Sequence, residues 1–213
     1  NVVNPDEWIE RLGADVLRMY LMFIGPYEQG GDWRDESIAG IDRFLNRVWN
    51  LRNKIGEEKN KKTETLLHQS IKKIGEDIEG LHYNTAISQL MIFFSALEDG
   101  CDKESFKAFL KLLAPFAPFV TEELWHELGE KESIHKSKWP EYDESKTREE
   151  TKTIIVQINS KVCDKFEISS DASEENIKKE ALNRQKIKKI IANQEPKKVY
   201  VARNRLVNIV LVK

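Results

Sequence analysis

Apolar positions recur with helical spacing over the first two thirds of the chain and with strand spacing over the last third. Asn4-Pro5-Asp6-Glu7 opens the first predicted helix, with a side-chain oxygen at the cap, a proline where its missing N–H is harmless, and acids in the positive first turn. After Gly13, the run from Ala14 is apolar nearly all round, which predicts a buried helix ended by Gly25-Pro26. A polar loop through Gln29, Gly30, Gly31 and Asp32 leads to Trp33. Asp35 is then expected to cap a long amphipathic helix whose Ile38, Ile41, Leu45, Val48, Trp49 and Ile55 keep helical spacing. Past a charged connection at 59–64, Leu67, Ile71, Ile74 and Ile78 mark a helix over 65–79. Further helices are predicted over 83–97 and 106–113, separated by Gly100 and Asp102. Four or more such helices with short loops predict an antiparallel bundle, and Phe93, Phe94, Phe106 and Phe109 are read as its core.

The stretch LAPFAPFVTEELW, 113–125, is a helix-to-helix corner. Pro115 and Pro118 cannot sit in a helix interior, so the helix ending near Leu113 must break there. Thr121 is expected to cap the next helix, with Glu122 and Glu123 in its first turn. Residues 131–152 are polar and charged, relieved only by Trp139-Pro140 and Tyr142, and read as a linker. The period then changes. TIIVQI predicts a strand, Val162, Phe166 and Ile168 a second, and Asn159-Ser160 the hairpin turn between them. Asp171 or Ser173 should cap a helix reaching about Asn193, and KVYV and LVNIVLV supply two more strands. The predicted fold is therefore mainly α: an antiparallel helical bundle followed by a small α+β domain of order β-β-α-β-β. The expected divisions are connector helices over 1–33, the bundle over 34–130, the linker over 131–152 and the terminal domain over 153–213.

Charge sharpens this division. Residues 1–150 carry 20 Lys+Arg against 29 Asp+Glu, a net of −9, whereas 151–213 carry 14 against 7, a net of +7, together giving the chain's −2. An acidic helical body with a basic tail points either to a nucleic-acid partner or to a solvated lysine-rich helix. The two cysteines, Cys101 and Cys163, form no metal-ligand spacing and no disulfide framework, which fits a reducing cytosol. No apolar run has transmembrane length and no leader pattern opens the chain, so no membrane partner is expected. His68, His82, His126 and His135 share no spacing and are assigned no catalytic role.

Several segments, in order, resemble one family. The corner at 113–125 is similar to the helical bundle of class I aminoacyl-tRNA synthetases for branched aliphatic amino acids and methionine. NVVNPDEWIERLGADVLRMYLMFIGP, the Trp33 loop, RFLNRVWNL, HYNTAISQLM, Trp139-Pro140, VQINSK and RLVNIVLV resemble the bacterial-type leucyl branch and together span essentially the whole chain. The valyl branch would be expected to end in a coiled coil and the isoleucyl branch in a cysteine-rich zinc module. The corresponding region of a valyl, isoleucyl or methionyl enzyme is the alternative within the class, and a non-enzymatic protein-interaction module the alternative outside it.

The resemblance implies a full-length enzyme that joins leucine to tRNA(Leu) through a leucyl-adenylate, using ATP with Mg, in the cytoplasm and as a monomer. It places Asn1 just downstream of the KMSKS loop, with the catalytic and editing domains as partners in the longer chain. No phosphate loop, HIGH-like motif or metal cluster is visible here, so the fragment itself is expected to hold no cofactor and to be inert alone. Its implied role is tRNA docking through shape and backbone contacts.

The candidate RNA-binding residues are basic. Arg43, Arg47 and Arg52 lie on one predicted helix and either present a basic edge to phosphates or pair with acids such as Asp42. In the tail, Lys186 and Lys189 lie on the predicted helix, among lysines that could be merely solubilising. Lys197, Lys198, Arg203 and Arg205 fall at strand ends and in a turn. Lys161 matches a family lysine, whereas Ser160, Cys163 and Asn204-Arg205 depart from the family's usual Gly, Arg and Gly-Lys. Asp15 and Arg18 are expected either to brace the missing loop or to form a buried ion pair.

Overall fold

The computed structural model describes residues 3–56, 61–148, 151–192, 194, 196–203 and 205–211. The chain divides into two units, Asn1–Thr147 and Arg148–Lys213. The first unit contains α1 (Pro5–Leu12), α2 (Ala14–Phe23), α3 (Asp35–Leu51), α4 (Lys61–Glu79), α5 (Tyr83–Leu97), α6 (Lys103–Leu113) and α7 (Pro118–Glu127). Two-residue strands β1 (Ile55–Gly56) and β2 (Cys101–Asp102) pair in parallel beside them.

α5 sits at the centre of this bundle because it is apolar on several faces; it packs on α2, α3, α4 and α6. Phe93, Phe94, Phe106 and Phe109 are fully buried, and Phe109 lies 5.9 Å from Phe93 and 5.7 Å from Phe94 between ring centroids. Each such ring contributes roughly 1.5–3 kcal/mol relative to an exposed one. The Trp33 loop closes on the same body. Trp33 meets Trp8 at 5.2 Å and Tyr20 at 4.9 Å, while the Tyr20 hydroxyl accepts from the Arg34 amide and donates to the Arg34 carbonyl. The loop doubles back tightly: a Cβ at Gly25 would lie 2.2 Å from the Gly30 carbonyl oxygen and one at Gly31 2.6 Å from that of Ile24, so both positions require glycine.

Caps decide where the helices begin, and two differ from the sequence expectation. Asn4 caps α1 through the Asp6 amide as predicted. Arg34, not Asp35, occupies the cap position of α3; Asp35 is the first helical residue and accepts from the Trp33 indole N–H at 2.7 Å. At the double-proline corner, Pro115 ends one helix but Pro118 begins the next, as proline's fixed φ allows at a first helical position. Thr121 therefore lies inside α7, fully buried, and its hydroxyl donates back to the Ala117 and Pro118 carbonyls. The cap comes from α2 instead. Asp15 accepts from the Phe119 and Val120 amides at 3.3 and 2.7 Å, and Arg18, one turn along, donates twice to the Pro115 carbonyl at 3.3 and 3.1 Å. These two residues thus grip the corner from both sides. Burial pushes the Asp15 carboxyl above its ordinary range, against the two amides that favour its charge.

Residues 131–147 lie along the first unit. The Ser133 hydroxyl and Ile134 amide donate to Glu122, and Ile134 is buried. Lys72 pairs with Glu144 at 2.9 Å, Lys146 with Glu64 at 2.6 Å, and Gln69 donates to the Thr147 carbonyl, all along α4.

The second unit is a four-stranded sheet of β3 (Thr151–Ile158), β4 (Lys161–Ser169), β5 (Lys198–Ala202) and β6 (Leu206–Val210), in the order β4-β3-β6-β5. β3 and β6 run parallel; both outer pairings are antiparallel. Asn159 and Ser160 take positive φ, 47° and 67°, as a tight two-residue hairpin turn requires. The single predicted helix is two, α8 (Glu174–Asn183) and α9 (Gln185–Ile191), because Arg184 is extended. Its guanidinium is bonded to Asp164 of β4 and lies over Phe166 at 5.2 Å. Ser173 makes the predicted cap on α8, and the expected helix end at Asn193 lies outside the described residues. Ile177, Ala181, Ile187 and Ile191 cover Ile154, Val156, Phe166, Val207 and Ile209 on one face of the sheet.

Candidate RNA-binding surfaces

Each predicted cation is positioned by its element, and the elements separate them. In α3, burial of Ile41, Phe44, Leu45 and Val48 turns Arg43 and Arg47 outward. Arg47 meets Glu98 in a two-bond fork at 2.6 and 2.5 Å and lies over Phe94 at 5.2 Å. That fork pushes the Arg47 guanidinium up and holds the Glu98 carboxyl below its usual range. Arg52 lies just past α3, stacked on Trp49 at 4.2 Å, bonded to its carbonyl and paired with Glu127 at 3.2 Å. Arg43 is exposed and makes no ion pair among the described residues. Asp42, the acid proposed from sequence as a partner, instead accepts from Asn46. Glu98 is 51 residues from Arg47, so no local spacing signals that pair.

In the second unit the register sets the layout. β3 and β6 end together, beside the start of β5 and of β4, so Lys161, Lys197 and Lys198 share one end of the sheet. Lys161 and Lys198 begin opposite edge strands, and three strand spacings put their backbones about 14 Å apart. Arg203 and Arg205 belong to the β5–β6 turn at the other end of the sheet, about 15 Å along β5, with Arg203 at φ 49°. Lys186 and Lys189 lie on α9, in the helix layer, and Lys186 is close enough to help hold the Asp164 carboxyl low, after the larger effect of Arg184. Lys161, Lys186, Lys189, Lys197, Lys198, Arg203 and Arg205 are all exposed. They ring the unit rather than form one cluster.

The family departures have local consequences. Ser160 donates its amide to the Asn208 side chain, and Asn159 accepts from the Leu211 amide, so the turn is pinned to β6. Cys163 falls where the β3–β4 register shifts and its thiol donates to the Lys161 carbonyl. Asn204 lies outside the described residues.

Among the described residues, no group of three or more His, Cys, Asp or Glu is placed to hold a metal ion, and no helix is long and apolar enough to cross a membrane. Cys101 is buried beside Asp102, with its thiol pushed up to about 11 by burial and then by that carboxylate, which leaves it protonated and inert at neutral pH.

Residues 60–179, which include α4 to α7 and the first hairpin of the sheet, are matched by the anticodon-binding domain of tRNA ligase. The chain belongs to that family. Along its whole length it is further similar to leucine–tRNA ligases: 44% identical over 216 residues to that of Borreliella afzelii and 43% over 215 to that of Borrelia hermsii, in each case 99% of this chain. The chain spans about a quarter, 26%, of the length of those relatives. Among solved structures it resembles the Agrobacterium radiobacter LeuRS in a ternary complex with tRNA and LeuAMS. That match has a TM-score of 0.69 and 26% identity, and covers 100% of this chain and 31% of that one.

Proposed function

We propose that the chain is the tRNA-docking, C-terminal portion of a leucine–tRNA ligase. The whole protein would join leucine to tRNA(Leu) through leucyl-adenylate, as a monomer in the cytoplasm. The observation that carries this reading is the similarity to leucine–tRNA ligases over 99% of the chain. ATP and Mg would serve the whole enzyme's adenylation, in its catalytic domain.

Docking needs cations that are free to meet phosphates. Arg47 and Arg52 are held by Glu98 and Glu127, which makes them bundle-stabilising residues in this reading. Arg43 and the cations ringing the second unit are the phosphate contacts. Spread over both ends of a sheet, they suit an irregular RNA backbone better than a single phosphate. Reversing Lys197 and Lys198 together to Glu tests this. Affinity for a leucine tRNA should fall and the logarithmic salt slope should shrink by roughly 0.7–0.9 for each phosphate left without its lysine; unchanged affinity and slope would remove this end of the sheet from the interface.

A further inference from the structure

α8 and α9 cover one face of the terminal sheet, and strand alternation shows what the other face presents. In β5, Val199 and Val201 join the apolar core under the helices, so Lys198, Tyr200 and Ala202 point the opposite way. The register then sets Tyr200 against Asn208, Asn208 beside Gln157, and Gln157 against Val162, in one row across all four strands. Tyr200 is 47% exposed and Val162 61%, while Ile155, in the neighbouring row, is 40% exposed. The Lys198 ammonium lies 4.7 Å from the Tyr200 ring centroid.

We propose that this open face, centred on Tyr200, is a stacking platform for an unpaired base of the bound RNA. The inference rests on the tRNA-docking reading and deepens it by naming where and how a base is held. An aromatic ring on an uncovered sheet offers a flat surface that accepts any base, and base–aromatic stacking tolerates sequence variation. Lys198 is placed both to polarise against the ring and to reach the phosphate that follows the stacked base. The Asn208 side-chain oxygen is taken by the Ser160 amide, which leaves its NH₂ as a donor toward a base edge, and Gln157 adds both a donor and an acceptor. A protein partner fits less well. The exposed apolar groups are interrupted by two amides and flanked by Lys165 and Lys198, in a stretch, 151–213, of net charge +7, which matches a polyanion.

The test uses the full chain with two probes: a leucine tRNA, and a short single-stranded RNA carrying one 2-aminopurine, whose fluorescence falls on stacking. Tyr200→Ala should weaken binding of both by about 5- to 100-fold and abolish the quenching. Tyr200→Phe should retain both, whereas Tyr200→Leu, which keeps apolar area but not the ring, should behave like Tyr200→Ala. Amide spectra matching the unaltered chain would confirm that each variant is folded. Unchanged affinity and quenching in a folded Tyr200→Ala overturns the platform and leaves the docking reading standing. Failure of the unaltered chain to bind the tRNA at all overturns both.

Discussion

Replacing Asp15 with Ala removes the side chain that caps α7, from a residue 104 positions away in sequence. Two orphan amides lose their acceptor, at 2.7 and 3.3 Å, and the second is already a weak bond. A single cap substitution costs about 0.5–2 kcal/mol. Two amides would double that, but burial opposes the charge at this site, so about 2 kcal/mol is expected. All five tryptophans, Trp8, Trp33, Trp49, Trp125 and Trp139, lie in the first unit, so tryptophan emission during urea unfolding of the full chain reports that unit alone. With a urea dependence of about 2 kcal/mol/M, the midpoint should drop by about 1 M. Asp15→Asn keeps one acceptor oxygen and sheds the buried charge, so it should lie within about 1 kcal/mol of the unaltered chain. A raised carboxyl in the folded state contributes stability that is present at low pH and lost as pH rises through the folded value, so the Asn variant should compare better at pH 7 than at pH 3. A midpoint shift under about 0.2 M for Asp15→Ala would refute the capping argument.

Two further outcomes follow from local geometry. Burial pushes the Glu122 carboxyl up, but bonds from Ser133, Ile134 and His126 outweigh it and hold the group below its ordinary 4.5, while the Glu130 carbonyl and then Glu122 push His126 above 6.5. The Glu122 contribution is lost as pH falls through its lowered value and that of His126 as pH rises through its raised one; the melting-temperature gap between the unaltered chain and Glu122→Gln should therefore be widest between pH 4.5 and 6.5. Ser160→Gly relieves a side chain held at φ 67° and should stabilise the second unit by about 0.5–1 kcal/mol, read as slower hydrogen exchange in β3 and β4.

Periodicity was sufficient for α5 and the first hairpin, whose patterns are fixed by burial of one face, but not for the short β1–β2 pair or the division of the terminal helix. What escaped it depended on distant partners. Thr121 has the chemistry of a cap, yet Pro118 is itself a good first helical residue, and the acceptor for the next amides is supplied by α2. The break at Arg184 is likewise invisible locally, because lysine-rich sequence continues a helical pattern on both sides, and the extended residue is held by Asp164 and Phe166, distant in sequence on β4. Charge type was readable but charge availability was not. Arg43 and Arg47 look alike in sequence, and Glu98, from the end of α5, separates them. Tyr200 carried no signal beyond strand propensity; its place on the uncovered face needed the sheet order and register.

The most direct test of the docking reading is a salt-titrated binding isotherm of the full chain with a leucine tRNA and with a tRNA having a short variable arm. Docking through exposed cations predicts steeply salt-dependent binding that favours the leucine tRNA, with a slope reflecting several neutralised phosphates. Weak binding, or equal binding of both RNAs with little salt dependence, would contradict it.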